Sequence, residues 1–94
     1  MNKVFVLTRK ECIPDENQTE VTIVGVYDNK SVAELQAAEE REKIVKEYEK
    51  EFSEKDINVS YIGDLTIIDL CDNWKSYYIE ISEFEINKTV NAFV

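Results

Sequence analysis

The first part of the chain carries the apolar patterns of two β-strands. Residues 3–8 (KVFVLT) and 20–27 (EVTIVGVY) are apolar on both faces, and the first of them is predicted to be a central strand. The polar segment 9–19 between them predicts a long loop, across which we expect the two strands to pair antiparallel. Gly25 inside the second strand indicates a bulge or a close approach of another group to the backbone.

Residues 31–55 have the periodicity of an amphipathic helix. Ser31 and Glu34 match a capping box, because each side chain can bond to the backbone amide of the other residue. Arg41 lies within the apolar arc, where it either extends to water or marks the place where the helix meets something other than its own core. Apolar residues recur at helical spacing along the predicted inner face: Leu35, Ala38, Val45, Tyr48 and Phe52.

Two shorter strands are predicted next, joined as a hairpin. Residues 57–62 alternate between apolar and polar positions, as in a strand with one buried face. Gly63 and Asp64 fit a two-residue turn with glycine first, and residues 65–70 return as an isoleucine-rich strand.

A last long strand is predicted over residues 75–87, after a loop at residues 71–74. Its apolar positions change phase near Ser82 and Glu83, as they would at a β-bulge. The apolar tail at residues 90–94 is expected to pack on the domain or on another subunit.

The element order is therefore β-β-α-β-β-β, which predicts an α+β fold. We expect an antiparallel sheet of about five strands with one long helix packed on one face. The 94 residues suffice for a single domain, residues 1–94, and two glycines and one proline leave no flexible linker. The apolar tail and the exposed sheet edges make a homodimer a possible state.

The charge of the chain restricts its partners. Twenty acidic residues against 11 basic ones give a net charge of −9, which repels nucleic acids and anionic membranes and favours basic proteins. Residues 56–94 contain only two lysines but seven acidic residues: Asp56, Asp64, Asp69, Asp72, Glu80, Glu83 and Glu85. A rigid array of carboxylates can occupy a basic groove built for nucleic-acid phosphates, and the simpler alternative is a solvated face.

The sequence offers no recognisable catalytic or metal-binding motif. It contains no histidine, and Cys12 and Cys71 lack the spacing of a zinc site. Glu83 and Glu85 share one face of a strand, but a solvated surface explains them more simply than an acid–base pair. Asp64, Asp69 and Asp72 lack the spacing of a calcium loop. We therefore predict a non-enzymatic protein with no catalytic residues, no cofactor and no metal.

The acidic segment at residues 56–94 also contains aromatic residues. Cross-strand packing accounts for Tyr61, Tyr77 and Tyr78, whereas Trp74 lies in a loop and is expected to be exposed. The predicted partner-binding residues combine this tryptophan with the acids: Asp64, Asp69, Asp72, Trp74, Glu80, Glu83 and Glu85.

The N-terminal apolar run is too short for a signal peptide, and no segment is long and apolar enough to cross a membrane. We therefore expect a cytoplasmic protein with reduced thiols, which does not contact membranes or bind nucleic acid directly.

Three segments form a recognisable combination: KVFVL at residues 3–7, VGVY at 24–27 leading to a helix with Ala33, and YYIE at 77–80 followed by FEI at 84–86. Together they resemble a group of small bacterial and phage proteins with a strand–strand–helix–strand layout. The resemblance implies a fold and no active site. The 57–70 hairpin and the tail after Asn87 depart from the shorter pattern.

These observations predict an acidic, non-catalytic interaction protein that binds a basic protein partner. The most specific form of this prediction is a phage or mobile-element inhibitor that blocks a nucleic-acid-handling or defence protein of the host. The alternative is a regulatory domain that binds a small molecule or nucleotide, either between helix and sheet or at a dimer seam.

Overall fold

In the computed structural model, which describes residues 3–86, five antiparallel strands form one sheet and one helix packs across it. This confirms the predicted α+β class and the order of elements along the chain. In space the strands follow the order β2-β1-β5-β4-β3, because β5 inserts between β1 and β4. The elements are β1 (Lys3–Ile13), β2 (Gln18–Tyr27), α1 (Lys30–Glu49), β3 (Ile57–Ile62), β4 (Leu65–Leu70) and β5 (Lys75–Glu85).

The predicted loop at residues 9–19 is wrong, because most of this segment extends the first hairpin. β1 continues to Ile13 and β2 begins at Gln18. The polar half of β1 is held as a strand from both sides, since Glu11 lies opposite Glu20 in β2 and opposite Tyr77 in β5. The connection is only a short 3-10 turn at Pro14–Glu16.

Helix α1 starts differently from the capping-box prediction. The N-cap is Asn29, whose side-chain oxygen accepts a hydrogen bond from the Ser31 amide at 2.8 Å, so Ser31 is already helical. The predicted inner face is also partly wrong, because Leu35 is 64% exposed. Buried positions on the helix are instead Ala33, Glu40 and Ile44.

The helix ends at Glu49, before the predicted limit near residue 55. A turn follows, in which the Phe52 amide donates to the Tyr48 carbonyl oxygen at 2.9 Å. The chain then forms a 3-10 turn at Glu54–Asp56, which is tied to the β4–β5 connection by a 2.8 Å bond from the Cys71 amide to the Asp56 carbonyl oxygen.

The predicted bulge near residues 82–83 does not form, since β5 pairs with β1 without interruption from Ser76 to Glu85. The phase change arises because Phe84 points to the opposite face from Ile81. The sheet's irregularity lies between Leu7 and Thr8 on β1, opposite the segment with Gly25 on β2. There the Tyr27 ring occupies the space that a side chain at Gly25 would need, which confirms the predicted close approach.

The core lies between α1 and one face of the sheet, here called the helix-side face. Its fully buried side chains come from three central strands: Leu7, Ile68, Leu70 and Ile79. The opposite face of the sheet, here called the open face, carries the alternate residues of every strand. The predicted two-residue turn at Gly63 and Asp64 is confirmed, with Ile62 opposite Leu65 and Gly63 at φ 58°. The tail at residues 90–94 and the predicted strand end at Asn87 lie outside the described residues.

Candidate functional site

Two grooves meet where α1 ends. One, of about 440 Å³, runs between the end of α1 and β3, and its lining combines apolar side chains with Glu49 and Glu54. The other, of about 470 Å³, lies between the Glu54–Asp56 turn and the β4–β5 connection. Glu54 and Ile57 line both grooves, so the two are adjacent.

Carboxylates dominate this end of the molecule. We call it the acidic end, and it consists of Glu49, Glu54, Asp56, Asp69 and Asp72 together with Phe52 and Trp74. Lys55 is the one basic side chain among the residues that line the two grooves. The carbonyl end of α1 lies on the same side and adds the negative pole of the helix dipole. The local field therefore favours a cation.

Hydrogen bonds hold two of these carboxylates in place. The Ser53 hydroxyl donates to Asp56 at 2.9 Å, and the Ser76 hydroxyl donates to Asp69 at 2.6 Å. A carboxylate held in this way loses less conformational entropy when it binds a partner.

The connection from β4 to β5 has an unusual backbone. Cys71, Asp72 and Asn73 have φ values of 48°, 53° and 70°, which places three consecutive residues in the left-handed region. Asparagine and aspartate tolerate this conformation better than most residues, but a cysteine there is strained. The turn places Asp72 beside the groove and leads directly to Trp74. Burial and the nearby Asp56 and Asp72 raise the pKa of the Cys71 thiol, so this thiol is a poor nucleophile.

An aromatic cluster stands beside the acidic groove. The rings of Tyr48 and Phe52 are stacked with centroids 6.0 Å apart, and the Trp74 ring lies 6.1 Å from Phe52. Trp74 is 41% exposed, as predicted from its place in a loop. Phe52, which the helical pattern assigned to the core, instead lines the groove with its half-buried ring.

A lysine lies beneath this cluster on the helix-side face. The Lys75 ammonium donates to the Tyr48 hydroxyl at 2.8 Å and lies 3.7 Å from a Glu11 carboxylate oxygen. It is also 5.4–5.9 Å from the ring centroids of Tyr48, Trp74 and Tyr77. The hydroxyls of Tyr48 and Tyr77 are 3.0 Å apart and complete the network.

The pKa shifts in this network show what it can do chemically. Burial lowers the pKa of Lys75, but the hydrogen bond to Tyr48 and the Glu11 carboxylate outweigh this effect and raise it overall. Burial and hydrogen bonds to Tyr48 and Glu11 also raise the pKa of the Tyr77 hydroxyl. At neutral pH the lysine therefore stays charged and the tyrosine stays protonated, so neither serves as a general base.

The structure divides the predicted binding residues between two ends of the molecule. Asp69, Asp72 and Trp74 come together at the acidic end. Asp64 lies at the opposite end of β4, in the β3–β4 turn, where the Lys30 ammonium is 3.3 Å from its carboxylate. The rest lie on β5 away from the acidic end: Glu80 on the open face, and Glu83 and Glu85 on the other face. Glu83 is paired with Lys3 at 3.1 Å.

Two further polar contacts join α1 to the sheet. Arg41 donates to the Tyr61 hydroxyl at 2.9 Å, which shows why an arginine lies in the apolar arc of the helix. Glu40 is only 7% exposed; one of its oxygens lies 3.6 Å from Arg9, and the other lies 3.7 Å from the exposed Lys43 ammonium without a hydrogen bond. Sequence reasoning missed Glu40 because its partner on β1 is distant in the chain.

Within residues 3–86, no group of three or more cysteine, aspartate or glutamate side chains is arranged to hold a metal ion. Neither does this part of the chain contain a helix with the length and apolar character that a membrane crossing requires. In comparisons with protein-family models, curated proteins and solved structures, the chain matches none.

Proposed function

We propose that the protein is a non-catalytic interaction module whose acidic end binds a basic segment of a partner protein. The observation that supports this most strongly is the pair of adjacent grooves at the end of α1. Glu49, Glu54 and Phe52 line one, Asp72 lines the other, and the exposed Trp74 ring lies 6.1 Å from that of Phe52. A lysine or arginine side chain presents an aliphatic stem and a cationic head, and this surface suits both parts.

The residues of the groove indicate the composition of the partner. Val45, Ile57 and Val59 line one groove together with Glu49 and Glu54, and the adjacent groove is mainly polar and acidic. We therefore expect a segment in which lysine or arginine residues flank a leucine or another aliphatic residue. Attraction of the charges would speed association, and burial of the aliphatic residue would slow dissociation.

The chain's only tryptophan, Trp74, provides the assay. A synthetic peptide of alternating lysine and leucine, which contains no tryptophan, should change the Trp74 fluorescence in a saturable manner that weakens as salt is added. Glu54→Lys should raise the dissociation constant about 10-fold, which corresponds to roughly 1.4 kcal/mol.

The matched control is Glu85→Lys, because Glu85 is an exposed glutamate on β5 far from the groove and its replacement changes the net charge equally. Peptide affinity should change little in this variant at moderate salt. If the two variants weaken binding to the same extent, only the net charge matters and the acidic end is not the site. Failure of the peptide to bind at all would remove the proposal.

In its finer form, we propose a phage or mobile-element inhibitor that occupies the basic groove of a host nucleic-acid-handling or defence protein in the cytoplasm. The net charge of −9, the carboxylates held by Ser53 and Ser76, and two free cysteines support this form. Tagged protein should capture such a partner from lysate at low salt and release it at high salt. The captured protein should then lose its nucleic acid to an excess of this chain, and lack of competition would argue against the inhibitor.

A small-molecule ligand is the second proposal, because a groove of about 440 Å³ is within the size range of ligand pockets. The carboxylates that surround it disfavour nucleotide phosphates and favour an uncharged or cationic compound. Such a compound should raise the melting temperature of the wild type more than that of Phe52→Ala. Equal shifts in both proteins would place the compound elsewhere.

A further inference from the structure

The open face of the sheet is largely apolar and nothing in residues 3–86 covers it. Register and alternation place on this face several large apolar side chains that are half exposed or more, namely Val21, Ile23, Val26, Ile62 and Phe84. Between them lie half-buried apolar residues of the central strands: Val4, Val6, Leu65, Ile67 and Tyr78. Contiguous apolar surface of this extent on a folded domain marks an interface.

The charge of the open face differs from that of the molecule as a whole. Although the chain has a net charge of −9, the charged side chains among the described strand residues of this face are only Lys10, Asp69 and Glu80. Asp69 lies at the margin of this face and also belongs to the acidic end. A basic partner would therefore find little to attract it here, whereas a second negatively charged copy of the chain would meet little repulsion.

We propose that the open face is the interface of a homodimer, in which the sheets of two copies pack face to face. Two-fold symmetry requires a surface complementary to itself. This face carries Lys10 on β1, opposite Tyr78, and Glu80 on β5, opposite Thr8, two residue pairs away along the same two strands. Residues of opposite charge on neighbouring strands allow each copy to offer a positive group to the negative group of the other. Apolar side chains such as Ile23 and Val6 then form the dry centre.

The dimensions of the face agree with this mode of packing. Five strands about 4.8 Å apart, with a rise of about 3.3 Å per residue, give a flat area of roughly 700 Å². A stable interface buries about 800 Å² on each partner, which is close to this area. Aligned sheets pack about 10 Å apart with interdigitated side chains, as in a β-sandwich. The molecule itself is only 19 Å across its thinnest dimension, consistent with one helix layer on one sheet layer.

The test is the molar mass of the full chain in solution, measured by sedimentation equilibrium across a wide range of concentrations. The wild type should have twice the 11.0 kDa mass of one chain. Ile23→Lys and Phe84→Lys should each raise the dimer dissociation constant about 100-fold, because each buries an unpaired ammonium in an apolar interface. Both side chains are exposed in the single chain, at 66% and 54%, so these variants should fold, which far-UV circular dichroism checks.

Leu35→Lys is the matched control, since Leu35 is 64% exposed on the outer side of α1. It should dimerise as the wild type does. A wild type that is monomeric throughout the concentration range would overturn the proposal. A dimer that survives both Ile23→Lys and Phe84→Lys would overturn it as well, and would indicate pairing through the edge strands. The proposal does not depend on the acidic end, and Glu54→Lys should leave the dimer intact.

Discussion

Replacement of Lys75 by methionine tests the polar network between α1 and the sheet. Methionine keeps the apolar stem, which packs among the rings of Tyr48, Trp74 and Tyr77, and removes only the ammonium. The Lys75 side chain is 14% exposed, so its charge is largely withdrawn from water and depends on the contacts of the network.

The expected loss of stability follows from these contacts. A hydrogen bond from a charged group, here the 2.8 Å bond to Tyr48, contributes about 1.5–3 kcal/mol. Contact with the aromatic rings adds about 0.5–1 kcal/mol. The Tyr48 and Tyr77 hydroxyls still bond to each other in the variant, and Glu11 is one-third exposed and regains water, so no large further penalty arises. We expect Lys75→Met to lower the free energy of unfolding by about 2–4 kcal/mol.

Urea unfolding followed by far-UV circular dichroism measures this loss. For a urea m-value of about 1–3 kcal/mol/M, the midpoint should fall by roughly 1 M or more. All proteins are compared at one concentration, because dimer formation would contribute to stability.

Lys46→Met is the matched control, since it removes the same charge from an exposed lysine that pairs with Glu42 at 3.8 Å. That pair contributes about 0.3–0.5 kcal/mol. Equal midpoints for Lys75→Met and Lys46→Met would refute the reasoning and show that Lys75 behaves as a solvated charge.

Further predictions concern pH, a turn and a buried ion pair. The pKa of the Tyr77 hydroxyl is raised above its ordinary value of 10.0, so as the pH rises the unfolded chain loses this proton before the folded chain does. The contribution of Tyr77 to the free energy of unfolding should therefore be fully present below pH 10.0 and decrease at higher pH. The free energy of unfolding of Tyr77→Phe should fall less steeply over the same range. Gly63→Ala should lower the melting temperature by an amount equivalent to about 1 kcal/mol, because φ at Gly63 is 58°, whereas Gly63→Asn should cost less. In urea titrations, Arg9→Met should cost about 1–2 kcal/mol and Glu40→Gln less than about 1 kcal/mol, since the former leaves the buried carboxylate with only the exposed Lys43 as a cationic partner. If Glu40→Gln lowers the free energy of unfolding more than Arg9→Met does, then the Arg9 guanidinium, rather than the Glu40 carboxylate, depends on the ion pair.

Apolar alternation was sufficient to predict the sheet, but not the limits of its strands. The segment at residues 9–13 looks like a loop because it is polar, and it is a strand only because β2 and β5 bond to it from both sides. Phe84 appears out of phase because it lies on the open face, whereas Ile81 lies on the helix-side face. An apolar residue on a second apolar face and a β-bulge produce the same pattern along one strand, so the sequence cannot distinguish them.

The helix face was predicted less well because its closest contacts use small and charged residues. Ala33 is buried since alanine lets the helix approach the sheet, while the larger Leu35 is left outside. At the acidic end, the sequence indicated Asp69, Asp72 and Trp74, which lie close together in the chain. It could not indicate Tyr48, which is 27 residues from its partner Lys75, because only the packing of α1 on β5 brings them together.

The position of β5 between β1 and β4 has a consequence for synthesis on the ribosome. The β1–β2 hairpin and α1 leave the exit tunnel first, but the inner edge of β1 has no partner until β5 has emerged. The β3–β4 hairpin waits for the same strand. Contacts of such long sequence separation form slowly, and isolated hairpins are marginally stable. The nascent chain therefore exposes two incomplete sheet edges until β5 has emerged. Folding of the sheet is then a late and cooperative event, in which β5 pairs with β1 on one side and with β4 on the other.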